Sequence, residues 1–159
     1  MPAFREYDIS FRAHHPSADP AQLAGAFRWI PKRSWRAGRR RTTGSGRSLP
    51  GYYKTSYVTS ALSSPRFLPL PEFVNRILDH LERQSGLLQR WKESGGTLDL
   101  WIGLYLTKPA GDTLEAATVA RCAERGLDLC ILISPFRMPV YEGETRNVLK
   151  PIPRRIRPS

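Results

Sequence analysis

The stretch from Pro71 to Thr107 constrains this chain most, because an amphipathic helix there runs directly into an alternating strand. Pro69 and Pro71 punctuate its start, and Pro71-Glu72 suits a first helical turn, where proline's missing N–H is not needed. Phe73, Val74, Ile77, Leu78 and Leu81 recur at helical spacing, and Leu88 and Trp91 resume the stripe beyond Gly86. Gly95-Gly96 stops the helix. Leu98, Leu100, Ile102, Leu104 and Leu106 then alternate with Asp99, Trp101, Gly103, Tyr105 and Thr107, the period of a strand with one face on a core. A helix with one apolar stripe needs a sheet to cover, and this strand is the expected centre of that sheet.

The flanking segments supply the rest. Tyr7, Ile9, Phe11 and Ala13 alternate with polar residues as a first strand, and Asp19-Pro20-Ala21-Gln22 opens a short helix through Leu23 and Phe27. Tyr52–Thr59 is rich in aromatic and β-branched residues and reads as a strand, paired with a shorter one near Ser34–Arg36 around a glycine loop. Asp112 to Glu115 has the capping-box spacing of a further helix, lined by Leu114, Ala117, Val119, Ala120 and Ala123. Leu127, Leu129, Ile131 and Ile133 alternate as a closing strand. The order β-α-β-β-α-β-α-β predicts an α+β fold, a single mixed or antiparallel sheet of about five strands with three helices packed on it. Residues 1–136 form one α+β domain in this reading, and residues 137–159 a Pro/Arg-rich strap or tail, ordered at best to Tyr141 and frayed through Arg154–Arg157.

Charge is where this sequence departs from an ordinary globular chain. The net charge is +11, and it is uneven. Residues 1–60 carry 11 Lys/Arg against 3 acids, residues 61–134 carry 8 against 9, and residues 135–159 carry 6 against 2. Between Pro20 and Pro71 no acid occurs, and arginines there interleave with Trp29, Trp35, Tyr52, Tyr53 and Tyr57. A polyanionic or acidic partner is the implied ligand. No run reaches the ~20 apolar residues of a membrane span, and the opening residues lack a signal-peptide core. Two cysteines, Cys122 and Cys130, read as buried reduced thiols of a cytoplasmic protein.

Four features resemble a bacterial family catalogued as domain of unknown function 4279. They are Tyr7–Phe27; Trp35-Arg36-Ala37-Gly38 before a gapped loop; the long helix Phe73–Trp91; and the closing helix and strand Leu114–Ile133. The resemblance spans roughly residues 5–136 and implies a bacterial source without an assigned activity. By analogy it points to the immunity proteins that neutralise toxins.

A search for chemistry finds no positioned set. His14 and His15 are strand neighbours on opposite faces, and His80 lies off its helix stripe. Asp79 and Glu82 share a solvated helix face, while Asp99 and Asp128 point outward on neighbouring strands within reach of arginines. Gly44-Ser45-Gly46-Arg47 lacks the lysine and spacing of a phosphate loop. The expectation is therefore a non-catalytic protein without metal or cofactor, a monomer or weak dimer. Its partner-binding residues are Arg33, Trp35, Arg36, Arg39, Arg40, Arg41, Arg47 and Tyr52. Two partners stay open: an acidic protein such as a toxin, and, as the alternative, nucleic acid bound along Arg28–Tyr57. The tryptophans could equally be core or hairpin packing and the arginines a solvated loop.

Overall fold

A computed structural model describes residues 6–136 and 145–153. In chain order the elements are β1 (Tyr7–His15), α1 (Ala21–Phe27), β2 (Arg33–Trp35), β3 (Arg40–Thr42), β4 (Ser48–Tyr52), β5 (Ser56–Ser63), α2 (Leu70–Glu82), α3 (Ser85–Glu93), β6 (Thr97–Tyr105), α4 (Ala116–Glu124), β7 (Leu127–Ser134) and β8 (Arg146–Val148). The main sheet runs β2-β5-β1-β6-β7, with β8 joined to β5 beyond β2 along the same edge. Pairs β6–β7 and β5–β8 are parallel and the others antiparallel, so the sheet is mixed, as expected.

Alternation decides which face is buried. Ile9, Phe11 and Ala13 of β1 stand in register with Ile102, Leu100 and Leu98 of β6, and with Leu62, Ser60 and Val58 of β5. Against this apolar face pack Phe73, Val74, Ile77, Leu78 and Leu81 of α2, with Leu88 and Trp91 of α3. Each such side chain contributes about 1.5–3 kcal/mol on leaving water, which makes this layer the main source of stability. The opposite, outer face carries Ser10, Arg12, His14, Tyr57, Asp99 and Trp101.

The structure corrects several expectations. The long helix is two helices. Arg83 and Gln84 bond back only three residues, to His80 and Leu81 at 3.3 and 3.0 Å, and Gln84 leaves helical geometry at φ −119°. An unbroken helix over residues 70–93 would run about 36 Å, past the ~30 Å of a nine-residue strand. The turn brings Trp91 back to the sheet, where its Nε1 donates to the His14 carbonyl at 3.0 Å.

Helix α4 starts at Ala116, and Asp112 accepts from its neighbour Thr113 at 3.2 Å instead of capping the helix. Its buried face is Thr118 and Cys122, while Ala117, Val119, Ala120 and Ala123 are exposed. A polar clamp sets this phase. Arg121 bonds Asp79 at 2.7 Å and Glu82 at 3.0 Å, and both Arg121 and Thr118 donate to Asn75 of α2. On β6, Trp101 and Tyr105 flank Gly103. They close over Gly103, where an added Cβ would lie 2.8 Å from the tyrosine hydroxyl and 2.9 Å from the indole.

The aromatic run Tyr52–Thr59 divides at a corner, ending β4 at Tyr52 and starting β5 at Ser56. Cys122 is buried as expected, but Cys130 is exposed, because it lies on the outer face of the terminal strand β7. Beyond β7, β8 enters the sheet and Leu149 enters the core at 1% exposure, an addition the sequence reading did not contain. Residues 137–144 and 154–159 of the expected tail, including Tyr141 and Arg154–Arg157, lie outside the described residues. No helix among those described is long and apolar enough to cross a membrane.

Candidate functional site

Strands β2 and β5 pair with Trp35 opposite Tyr57, as the sequence suggests, and the connection between them carries a second sheet formed by β3 and β4. This small hairpin bears the arginine cluster. It is pegged to the main sheet by Tyr53, whose ring stacks on Trp35 at 4.8 Å with an interplanar angle of 11°. The Tyr53 hydroxyl donates to the Thr42 carbonyl and accepts from the Thr42 N–H, both at 3.1 Å. Its backbone bonds Gly38 at 2.8 Å and Arg39 at 2.9 Å. The hydrogen bonds from Thr42, helped by the positive charge of Arg33 and Arg41, pull the Tyr53 hydroxyl below the usual tyrosine range.

The aromatic contacts continue past the peg. Tyr57 meets Trp35 at 4.6 Å, and His14 meets Tyr57 at 4.6 Å. The Arg33 guanidinium sits 5.2 Å from the Trp35 ring centroid. At the far end, Thr43 and Arg47 close the turn: the Arg47 N–H donates to Thr43 Oγ1 at 3.0 Å, and the Thr43 N–H donates to the Arg47 carbonyl at 2.8 Å. Gly46 supplies the positive φ of +87° that this turn requires.

Around this frame the candidate residues separate into groups. Arg33, Trp35 and Arg41 gather about Tyr53. Arg40 stands directly opposite Tyr52, which is 67% exposed. Arg39 begins the hairpin and Arg47 lies at its tip. Arg36 is drawn away toward Asp19, 3.6 Å distant. Among the described residues Arg33, Arg39, Arg40, Arg41 and Arg47 have no carboxylate partner.

Sequence reasoning left His14 and Arg12 off the candidate site, and named Tyr53 and Tyr57 only within the basic-aromatic stretch Arg28–Tyr57. Arg12 bonds Asp99 at 2.7 Å across β1 and β6, which realises the expected reach of Asp99 to an arginine. The period-two pattern of β1 placed Arg12 and His14 on the outer face and was the available signal. Tyr53 lies in no regular strand, so the aromatic run marked it by composition while no periodicity showed its direction.

Elsewhere the titratable groups serve structure. His15 is buried, accepts from the Ser17 and Ala18 N–H groups, and contacts Ser94 at 2.8 Å. His14 points to the other face, as expected of strand neighbours. His80 reaches the Lys150 carbonyl at 2.8 Å. Burial pushes the Cys122 thiol up. Among the described residues no cluster of three or more His, Cys, Asp or Glu side chains is arranged to hold a metal. Comparison with family models, curated proteins and solved structures found no match.

Proposed function

We propose that this chain is a non-catalytic binding protein whose β3–β4 hairpin docks on an acidic surface of a protein partner. The observation that carries this reading is how the rings are used. Trp35 is stacked on Tyr53 and flanked by Tyr57 and Arg33, so the indole that base stacking would use first is engaged internally. Arg39, Arg40, Arg41 and Arg47 are exposed and, among the described residues, without a carboxylate, beside the exposed ring of Tyr52. Arginine forks bind carboxylates in two-point fashion, and the stacked peg sets the backbone that carries them before contact. In this reading the chain acts in the bacterial cytoplasm, as its resemblance to domain of unknown function 4279 and the analogy with toxin-neutralising proteins imply. A partner of this kind would bury about 1,200–2,000 Å².

Nucleic acid is the second reading. It is favoured by the row of Arg33, Thr59 and Arg12 running across three adjacent strands of the outer face. The test is fluorescence anisotropy of labelled polyglutamate, mixed-sequence RNA and duplex DNA against the protein and its Arg39→Glu/Arg40→Glu/Arg41→Glu variant, across a salt series. The expected result is polyglutamate binding that the variant abolishes, with RNA and DNA binding gone near physiological salt. About six phosphate contacts would weaken binding on the order of a thousandfold between 50 and 200 mM salt. RNA binding that persists at physiological salt and disappears in the variant would transfer the site to the second reading.

A further inference from the structure

The edge of the sheet farthest from the basic hairpin has its own unmet chemistry. Strand β7 pairs with β6 on one side, and among the described residues no strand pairs with its other side. The Leu106 N–H bonds the Ser134 carbonyl at 3.0 Å, which directs the backbone groups of Ser134 inward. Strand alternation then turns the N–H and C=O groups of Leu129, Ile131 and Ile133 toward the side where no described strand pairs. Exposed edges are ordinarily guarded by lysine, proline or inward charge. Here Leu127–Ser134 contains a single charge, Asp128, and no proline or lysine. Ile131, Leu132 and Ile133 are 53%, 40% and 65% exposed, and Phe136 just beyond is 78% exposed.

We propose that β7 pairs with β7 of a second copy of this chain, antiparallel about a twofold axis through Ile131. Charge selects the occupant. At +11 two copies repel, but β7 carries a single charge, the negative Asp128, and lies at the opposite end of the sheet from β2 and the basic hairpin. This edge is where copies meet with least repulsion. Side-chain chemistry selects the register. With Ile131 opposite the partner's Ile131, Leu129 faces the partner's Ile133, Cys130 faces the partner's Leu132, and Asp128 faces the partner's Ser134. Centring on Cys130 would instead set Asp128 against the partner's Leu132.

The favoured register forms about six backbone hydrogen bonds from three bonded pairs. The result is one continuous sheet with all helices on one face. The two basic hairpins then stand at its far ends, nine strand spacings or about 43 Å apart before twist. Nothing in this pairing depends on what the hairpins bind.

Sedimentation velocity over roughly 5–200 µM tests the proposal. The expected result is a concentration-dependent species of twice the 18.1 kDa chain mass. The Ile131→Lys/Ile133→Lys variant, whose changes fall at exposed positions, should stay monomeric with unchanged circular dichroism. A wild-type chain that is monomeric throughout overturns the proposal, and so does a dimer that survives the lysine variant. Register is read by oxidation in a Cys130→Ser background. Ile131→Cys should form a covalent dimer, since residues paired across the axis have Cα atoms ~5.5 Å apart, within disulfide reach. Asp128→Cys should not, because its counterpart lies about six residues or 20 Å along the strand. Cross-linking at residue 128 and not at 131 overturns the register.

Discussion

Replacing Asn147 by alanine tests how firmly the last described strand belongs to the fold. Asn147 is 9% exposed and ties three segments together through one amide. Its Oδ1 accepts from the Ile30 N–H at 2.7 Å, and its Nδ2 donates to the carbonyls of Ile30 and Ala61, both at 3.0 Å. Three net hydrogen bonds at about 0.5–1.5 kcal/mol each give about 3 kcal/mol. Leaving the Ile30 N–H orphaned would add up to a few kcal/mol more in a dry site. Ile30 is 59% exposed, however, so water reaches its backbone and the extra cost falls at the low end. For a domain of this size 3 kcal/mol lowers Tm by about 6–12 °C. Urea titration gives the free energy directly, and an unchanged m-value confirms that only stability moved. A loss below about 1 kcal/mol would refute the reasoning, because β8 would then be lying on the sheet without anchoring it.

Tyrosine ionisation should spread in both directions from the ordinary value of 10.0. Burial, then the negative charges of Glu72 and Asp112, push Tyr7 up to about 12, and its hydroxyl donates to the Leu68 carbonyl at 2.5 Å. The folded value exceeds the unfolded one, so this contribution is complete below pH 10.0 and is lost as pH rises toward about 12. Tyr53 has the opposite sign: its stabilisation exists above the unfolded value and disappears as pH falls through the depressed folded one. An ultraviolet titration should show an early step removed by Tyr53→Phe and a late step removed by Tyr7→Phe, and six tyrosines titrating in one step would contradict both. Thiol reactivity should divide likewise, with Cys130 modified at once and Cys122 only on unfolding. Cys130→Ser should remove the fast phase, and two fast thiols in the folded protein would count against the placement of Cys122.

The elements legible in the sequence are those whose period is set by a single buried face. Strands β1 and β6 and helix α2 announce themselves because every second residue of the one, and every third or fourth of the other, meets the same core. What escaped was decided by contacts distant in sequence. The phase of α4 follows Arg121 and Thr118 reaching Asn75, Asp79 and Glu82, so a row of alanines that looks core-facing ends in solvent. Strand β8 is three residues long and takes its place through Asn147, which no periodicity could reveal. The candidate site was legible as composition, an acid-free run of arginine and aromatic residues, and illegible as geometry. Whether Trp35 faces solvent or a tyrosine depends on a corner at Tyr53, and whether Arg36 is available depends on Asp19 of a different connection.

That geometry bears on how the arginines act. Ordering a loop residue costs about 1–2 kcal/mol, so a nine-residue basic loop that folded only on contact would give back much of its electrostatic gain. Here the residues from Arg39 to Arg47 are already fixed, at one end by the Tyr53 peg and at the other by the Thr43–Arg47 turn. Among the described residues no carboxylate answers Arg39, Arg40, Arg41 or Arg47 from within the fold. Salt ions or an acidic surface of a partner can supply the counter-charge that the described residues do not. The two differ in a measurable way. Diffuse ions screen the cluster uniformly and leave stability rising smoothly with ionic strength. A shaped acidic partner binds bidentately at a fixed geometry, so that Arg→Lys changes, which keep the charge and lose the fork, would still weaken the complex.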